Sequence, residues 1–171
     1  MAKKKDYKAL NTTPLDTGIR NFTEILKFYM YYAPNIDSCQ SNGRIEGNNA
    51  ETVLQEMLIR ANIRNKTRFL KKIQKKSWAK SGFETDEIDF EDSRILCDKY
   101  SNEEELSALL RHIRNALAHG YIYVWKKRSG KFILLVDFDS NKNRCTAKIL
   151  VSMPILESWK AILENEIATG E

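Results

Sequence analysis

The stretch Ser101 to Tyr121, SNEEELSALLRHIRNALAHGY, decides how this chain is read, because helix signals and reactive side chains coincide there. Ser101 with Glu104 three residues later has the spacing of a capping box, and Glu103, Glu104 and Glu105 put negative charge where a helix dipole is positive. Arg111, Arg114 and His119 gather toward the other end, and Gly120 offers the left-handed conformation that stops a helix. At about 100° per residue, Leu106, Leu109, Leu110, Ile113, Ala116 and Leu117 share one arc of roughly 120°, wide enough to pack on the protein's own core. The opposite arc carries Arg111, Arg114, Asn115, Ala118 and His119: hydrogen-bond donors, one small residue that permits close approach, and an imidazole near the helix end. A solvated face is the plain reading of such an arc.

The ordered string Arg114-Asn115-Ala116-Leu117-Ala118-His119 resembles the RNxxxH signature of the HEPN superfamily, small helical proteins in which this motif is the active site of a metal-independent ribonuclease. The resemblance covers Ser101 to Tyr121 and, loosely, the preceding helices. It implies a nuclease in which the RNA's own 2′-hydroxyl attacks, with His119 in proton transfer, Arg114 on the phosphate and Asn115 as an orienting donor. Arg111 would hold a flanking phosphate or pair with an acid of a partner chain. One imidazole cannot be base and acid at once, so the resemblance also implies a homodimer through the motif helix. Arg114, His119 and Tyr121 further fit the Rx4HxY pattern of HEPN toxins paired with nucleotidyltransferase-type antitoxins, which makes Tyr121 the candidate modification site; a strand tyrosine packed on a sheet is the competing reading. The implied role is a toxin or antiviral defence effector. The alternative is a catalytically silent HEPN-like module that binds RNA or protein.

Composition is that of a soluble chain: 171 residues with 42% hydrophobic and 30% charged suit one domain with a sizeable core. No apolar run is long enough to cross a bilayer, and MAKKKDYKAL lacks the apolar segment of a signal peptide, so no membrane partner and a cytoplasmic location are expected. Cys39, Cys97 and Cys145 are widely spaced and odd in number, and His112 and His119 are the only histidines, so neither a metal nor a cofactor is expected. His112 reads as an edge residue of the motif helix. The net charge of +5 favours an anionic partner.

The expected fold is mainly α: a HEPN-like helical bundle with a C-terminal three-stranded antiparallel β-meander and a final helix, in a single domain of residues 1–171. Residues 1–11 read as a lysine-rich tail, 12–120 as the bundle, 121–151 as the meander and 152–171 as the last helix. Within the bundle, Thr13-Pro14 starts a first helix that runs to Pro34, residues 35–48 form a loop, and a second helix begins near Asn49. A third helical piece bears Phe69, Leu70 and Ile73, with Arg64, Arg68, Lys71, Lys72, Lys75, Lys76 and Lys80 at three- and four-residue spacing. That stripe is either a surface that tracks RNA phosphates, through Arg68, Lys71, Lys72, Lys75 and Lys76, or a solvated face neutralised by the acidic run Glu84 to Asp92. Ser93 to Tyr100 reads as a short helical lead-in. Ser152 and Pro154 then open the final helix, with Ile155, Leu156, Trp159, Ile162, Leu163 and Ile167 inward.

Overall fold

The apolar arc of the motif stretch is buried in full: Leu106, Leu109, Leu110, Ile113, Ala116 and Leu117 all join the larger of two hydrophobic cores. This is seen in a computed structural model that describes residues 22–32, 49–83, 92–127, 130–141 and 144–169. The tail, the start of the first helix, the 35–48 loop and the acidic run up to residue 91 lie outside the described residues.

The helices are α1 (Phe22–Tyr32), α2 (Ala50–Arg60), α3 (Lys75–Lys80), α4 (Glu105–His119) and α5 (Met153–Thr169), and the strands are β1 (Thr67–Leu70), β2 (Arg94–Asp98), β3 (Ile122–Lys127), β4 (Gly130–Phe138) and β5 (Cys145–Ser152). The meander is present, since β3 pairs antiparallel with β4 and β4 with β5. It is, however, three-fifths of a larger sheet of order β1-β2-β5-β4-β3, in which β1 runs parallel to β2. Two segments expected as helix are therefore strands. Asn62, in left-handed backbone at φ 54, breaks the chain after α2; a 3-10 turn over Arg64–Lys66 follows and β1 begins. β2 is a central strand whose Ile95, Leu96 and Cys97 are all fully buried, so it shows a continuous apolar run rather than alternation, a pattern that periodicity cannot separate from a short buried helix.

The motif helix also starts later than its capping signal suggested. Glu104, in extended backbone, is the N-cap of α4 and makes no side-chain cap bond. Ser101 lies in the preceding turn, and Glu103 is engaged elsewhere, as described below. At the other end Gly120 adopts φ 70 and ψ 20, and the Tyr121 N–H donates back to Ala116 O at 3.0 Å, which ends the helix and launches β3 within two residues. α5 follows β5 without a loop; Ser152 closes the strand instead of capping the helix, and Pro154 sits in the first turn, where its missing N–H costs nothing.

Helices α1, α2, α4 and α5 cover one face of the sheet. Two side-chain bonds tie this layer together: Trp159 Nε1 donates to Met57 O at 2.8 Å and the Tyr29 hydroxyl to Leu156 O at 3.1 Å, both buried. The opposite face carries a smaller core of Ile73, Phe83, Leu96, Phe132, Leu134, Val136 and Leu150, against which Trp78 of α3 packs.

Asn62 tests the break between α2 and β1. Asn62→Val places a β-branched residue in left-handed backbone and is expected to lower unfolding free energy by about 1–2 kcal/mol in urea titrations, whereas Asn62→Gly should stay within about 0.5 kcal/mol of the parent.

Candidate active site

The C-terminal half of α4, the turn into β3 and the adjoining ends of β2, β4 and β5 enclose a cleft of about 750 Å³. Arg114, Asn115, Ala118 and His119 line it together with Arg111, Tyr121, Asp98, Asp137, Arg144 and Thr146. Ala118 and His119 are exposed, and Arg114 and Asn115 half-buried, so the polar arc of α4 opens into this space. The His119 and Tyr121 rings stand 6.3 Å apart, and Tyr121 meets Phe138 edge to face at 5.0 Å.

Arg111, expected to reach a phosphate or a partner chain, is turned inward instead. Only 4% exposed, it forms a bidentate pair with Glu103 of its own chain, Nε to Oε1 at 2.6 Å and Nη2 to Oε2 at 2.8 Å, with the Tyr100 ring 4.6 Å away. Glu103 also accepts from the Tyr100 N–H at 2.9 Å, which is why it takes no part in capping α4. Burial disfavours the guanidinium charge, but the bonds to Glu103 outweigh it and raise its pKa further.

His112, read from the sequence as an edge residue, is wholly buried and bonded to two residues that line the cleft, Asp137 and Asp98. Its Nδ1 lies 2.7 Å from Asp137 Oδ2 and its Nε2 2.8 Å from the backbone oxygen of Asp98. Both partners are acceptors, so both ring nitrogens must donate and the ring is an imidazolium. Burial opposes that charge; the hydrogen bonds to Asp137 and Asp98 overcome it and hold the pKa above 6.5. Asp98 is buried too, yet hydrogen bonds from His112 and Arg144, the latter 2.7 Å from its Oδ2, keep its carboxyl below the usual range. Asp137 accepts from the Phe138 N–H at 2.9 Å and from Asn115 Nδ2 at 3.2 Å as well as from His112. The amide nitrogen of Asn115 is thereby committed to Asp137, and its carbonyl oxygen is turned away from that carboxylate.

The chain thus brings Arg114, Asn115, His119 and Tyr121 to one cleft and keeps the basic stripe off its walls. Arg68 lies on β1, Lys71 and Lys72 in the turn after it, and Lys75 and Lys76 on α3, all exposed. They form no single helical row, although the Leu70↔Asp98 register puts Lys71 and Lys72 beyond the same sheet end as the cleft. His112, Asp98, Asp137 and Arg144 were not among the residues expected here. A signal for two of them exists: Asp98 and Asp137 each stand at the end of an apolar run, ILCD and LLVDF, where a carboxylate needs a partner. Among the described residues no group of three or more His, Cys, Asp or Glu side chains is arranged to hold a metal ion, and no helix is long and apolar enough to cross a membrane.

Removing one member of such a network strands a buried charge. His112→Gln is expected to cost about 3–5 kcal/mol at neutral pH. Because the folded pKa of His112 lies above 6.5, its contribution is complete below that value and is lost as pH rises through the folded one. Denaturant titrations of wild type and His112→Gln should therefore converge from neutral to alkaline pH; a gap that stays constant would show that the imidazolium is not what the network depends on.

No curated protein matches this chain, and no solved structure does. A family model described as HEPN pEK499 p136 matches residues 6–165, nearly the whole length, motif helix and sheet included. With Arg114, Asn115 and His119 gathered on one cleft of a matching chain, the protein belongs to this family of the HEPN superfamily.

Proposed function

We propose that this protein is a metal-independent endoribonuclease of HEPN type. Membership of the superfamily supports the coarser statement, a nuclease or RNA-binding module. The observation that carries the finer one is the placement of Arg114, Asn115 and His119 together on a cleft wide enough for a nucleotide.

In this reading a base takes the proton of a ribose 2′-hydroxyl, the 2′-oxygen bonds to the adjacent phosphorus, and the bond from phosphorus to the 5′-oxygen breaks as an acid protonates the leaving oxygen. The products are a 2′,3′-cyclic phosphate and a 5′-hydroxyl. His119 is an exposed imidazole on the cleft, a side chain suited to proton transfer. Arg114 neutralises charge that builds on the phosphate. Asn115, held by Asp137 through one amide N–H, keeps its second N–H to orient the substrate. Base and acid act together, so two imidazoles are required, and we place the second on a symmetry-related copy whose motif helix meets the first. The exposed Ala118, beside His119, leaves room for that approach. Lys71, Lys72, Lys75 and Lys76, with Arg68, would attract the flanking RNA. A toxin or antiviral role, with silencing at Tyr121 by a nucleotidyltransferase-type antitoxin, extends the same reading.

Purified protein and end-labelled RNA in EDTA test it directly. Cleavage should persist without metal, and His119→Ala should lower the rate by about 10²- to 10⁴-fold, the usual contribution of a positioned proton-transfer group. Arg114→Lys should keep part of the rate and Arg114→Ala very little, since lysine retains the charge but loses the planar fork. Full activity in folded His119→Ala, or a requirement for added Mg²⁺, would exclude this chemistry.

A further inference from the structure

The deep end of the cleft holds a side chain that neither the motif nor the chemistry above explains. Thr146 is 6% exposed, lines the cleft, and its hydroxyl has no hydrogen-bond partner among the described residues. Its position is not the one that regular strand geometry gives. Along β5, Ala147, Ile149 and Val151 face the core beneath the helices while Leu150 faces the other core. Strict alternation would send Thr146 to the side of Leu150, away from α4. The ladder is instead interrupted: Asp137 pairs with Ala147 and Phe138 with Cys145, so Thr146 is the extra residue of a β-bulge. Cys145 takes the place on the Leu150 side, and Thr146 is re-aimed into the cleft. Bulges recur beside active sites for this purpose. A buried hydroxyl without a partner lowers stability, and such a cost is retained where something else gains from it.

The surroundings limit what that hydroxyl can meet. Cations flank the motif side of the cleft, at Arg114, whereas beside Thr146 the carboxylates of Asp98 and Asp137 are balanced by Arg144 and His112, so no excess positive charge draws a phosphate to this end. A neutral group with a polar edge suits this end, and the Tyr121 and Phe138 rings add flat apolar surface to the same cleft. A threonine hydroxyl both donates and accepts, so it can meet either kind of atom on such an edge.

We propose that the deep end of the cleft is a nucleobase subsite, in which the Thr146 hydroxyl hydrogen-bonds the polar edge of a base next to the cleaved phosphate. The subsite rests on the RNA reading but not on the cleavage chemistry, and it makes Thr146 a determinant of sequence preference.

The test is a binding measurement in a His119→Ala background, which keeps the RNA intact. Fluorescently labelled homopolymers of A, C, G and U, each as RNA and as DNA, are titrated by anisotropy against Thr146, Thr146→Val and Thr146→Ser proteins. The parent should discriminate among the four bases. Thr146→Val should weaken the preferred one by about three- to tenfold and flatten the ranking, as expected for one lost uncharged hydrogen bond, while Thr146→Ser keeps the ranking. Thr146→Val should also melt no lower than the parent, since no internal bond is removed. An unchanged ranking in Thr146→Val overturns the proposal, as does a parent that binds all four alike. So does an equal loss on all four RNAs that disappears with DNA, which would assign the contact to the ribose. A marked loss of thermal stability in Thr146→Val overturns it too, by revealing an internal partner. Base discrimination that depends on Thr146 in a protein that cleaves nothing leaves the subsite standing and removes the nuclease.

Discussion

A single buried imidazolium ties the motif helix to the sheet. His112 reaches β2 through the backbone of Asp98 and β4 through the side chain of Asp137, and both bonds are shorter than 3 Å. In surroundings of low polarity such bonds are strong, and their loss is correspondingly costly. The remaining members complete a balanced set: Arg111, His112 and Arg144 carry positive charge, and Glu103, Asp98 and Asp137 negative charge, each paired within the chain. Apolar residues of the same volume would hold helix to strand at least as well. They could not also fix an amide at the cleft surface, which Asp137 does for Asn115.

The motif helix is therefore two objects on one cylinder. Its apolar side packs by volume, where a conservative exchange is tolerated. Its polar side is divided again, into an inner row of Arg111 and His112 spent on internal bonds, with Arg111 still edging the cleft, and an outer row of Arg114, Asn115, Ala118 and His119 that opens into it. Chemistry at the outer row inherits its geometry from the inner one, and a substitution at Arg111 or His112 should be read with that in mind.

Much of this was legible in the sequence, and the limits have physical causes. Helix α4, its buried arc, its glycine stop and the β-meander follow from periodicity and turn chemistry, which are local. Strands β1 and β2 do not, because a short run buried on both faces, as at Ile95, Leu96 and Cys97, carries no period to read. The inner row was misplaced for a related reason. A helical wheel assigns Arg111 to the polar side, but whether a polar side meets water or buried carboxylates depends on residues far along the chain: Asp137 is 25 positions from His112 and Arg144 is 46 from Asp98. Thr146 was invisible for a third reason, since a bulge changes which face a residue occupies without changing its type.

Every cleft-lining residue among those described lies at or after Asp98, and α1 and α2 contribute packing alone. Helices α1 and α2 leave the ribosome first, and the motif helix follows with His112 lacking Asp137 until β4 is made and Asp98 lacking Arg144 until the segment entering β5 is made. A nascent or truncated chain that ends before β5 carries the complete Arg114 to His119 string and still lacks Arg144 and Thr146 from the cleft wall. Possession of the motif and possession of the site are separated in time, and a cell making this protein meets the second only once the sheet has closed.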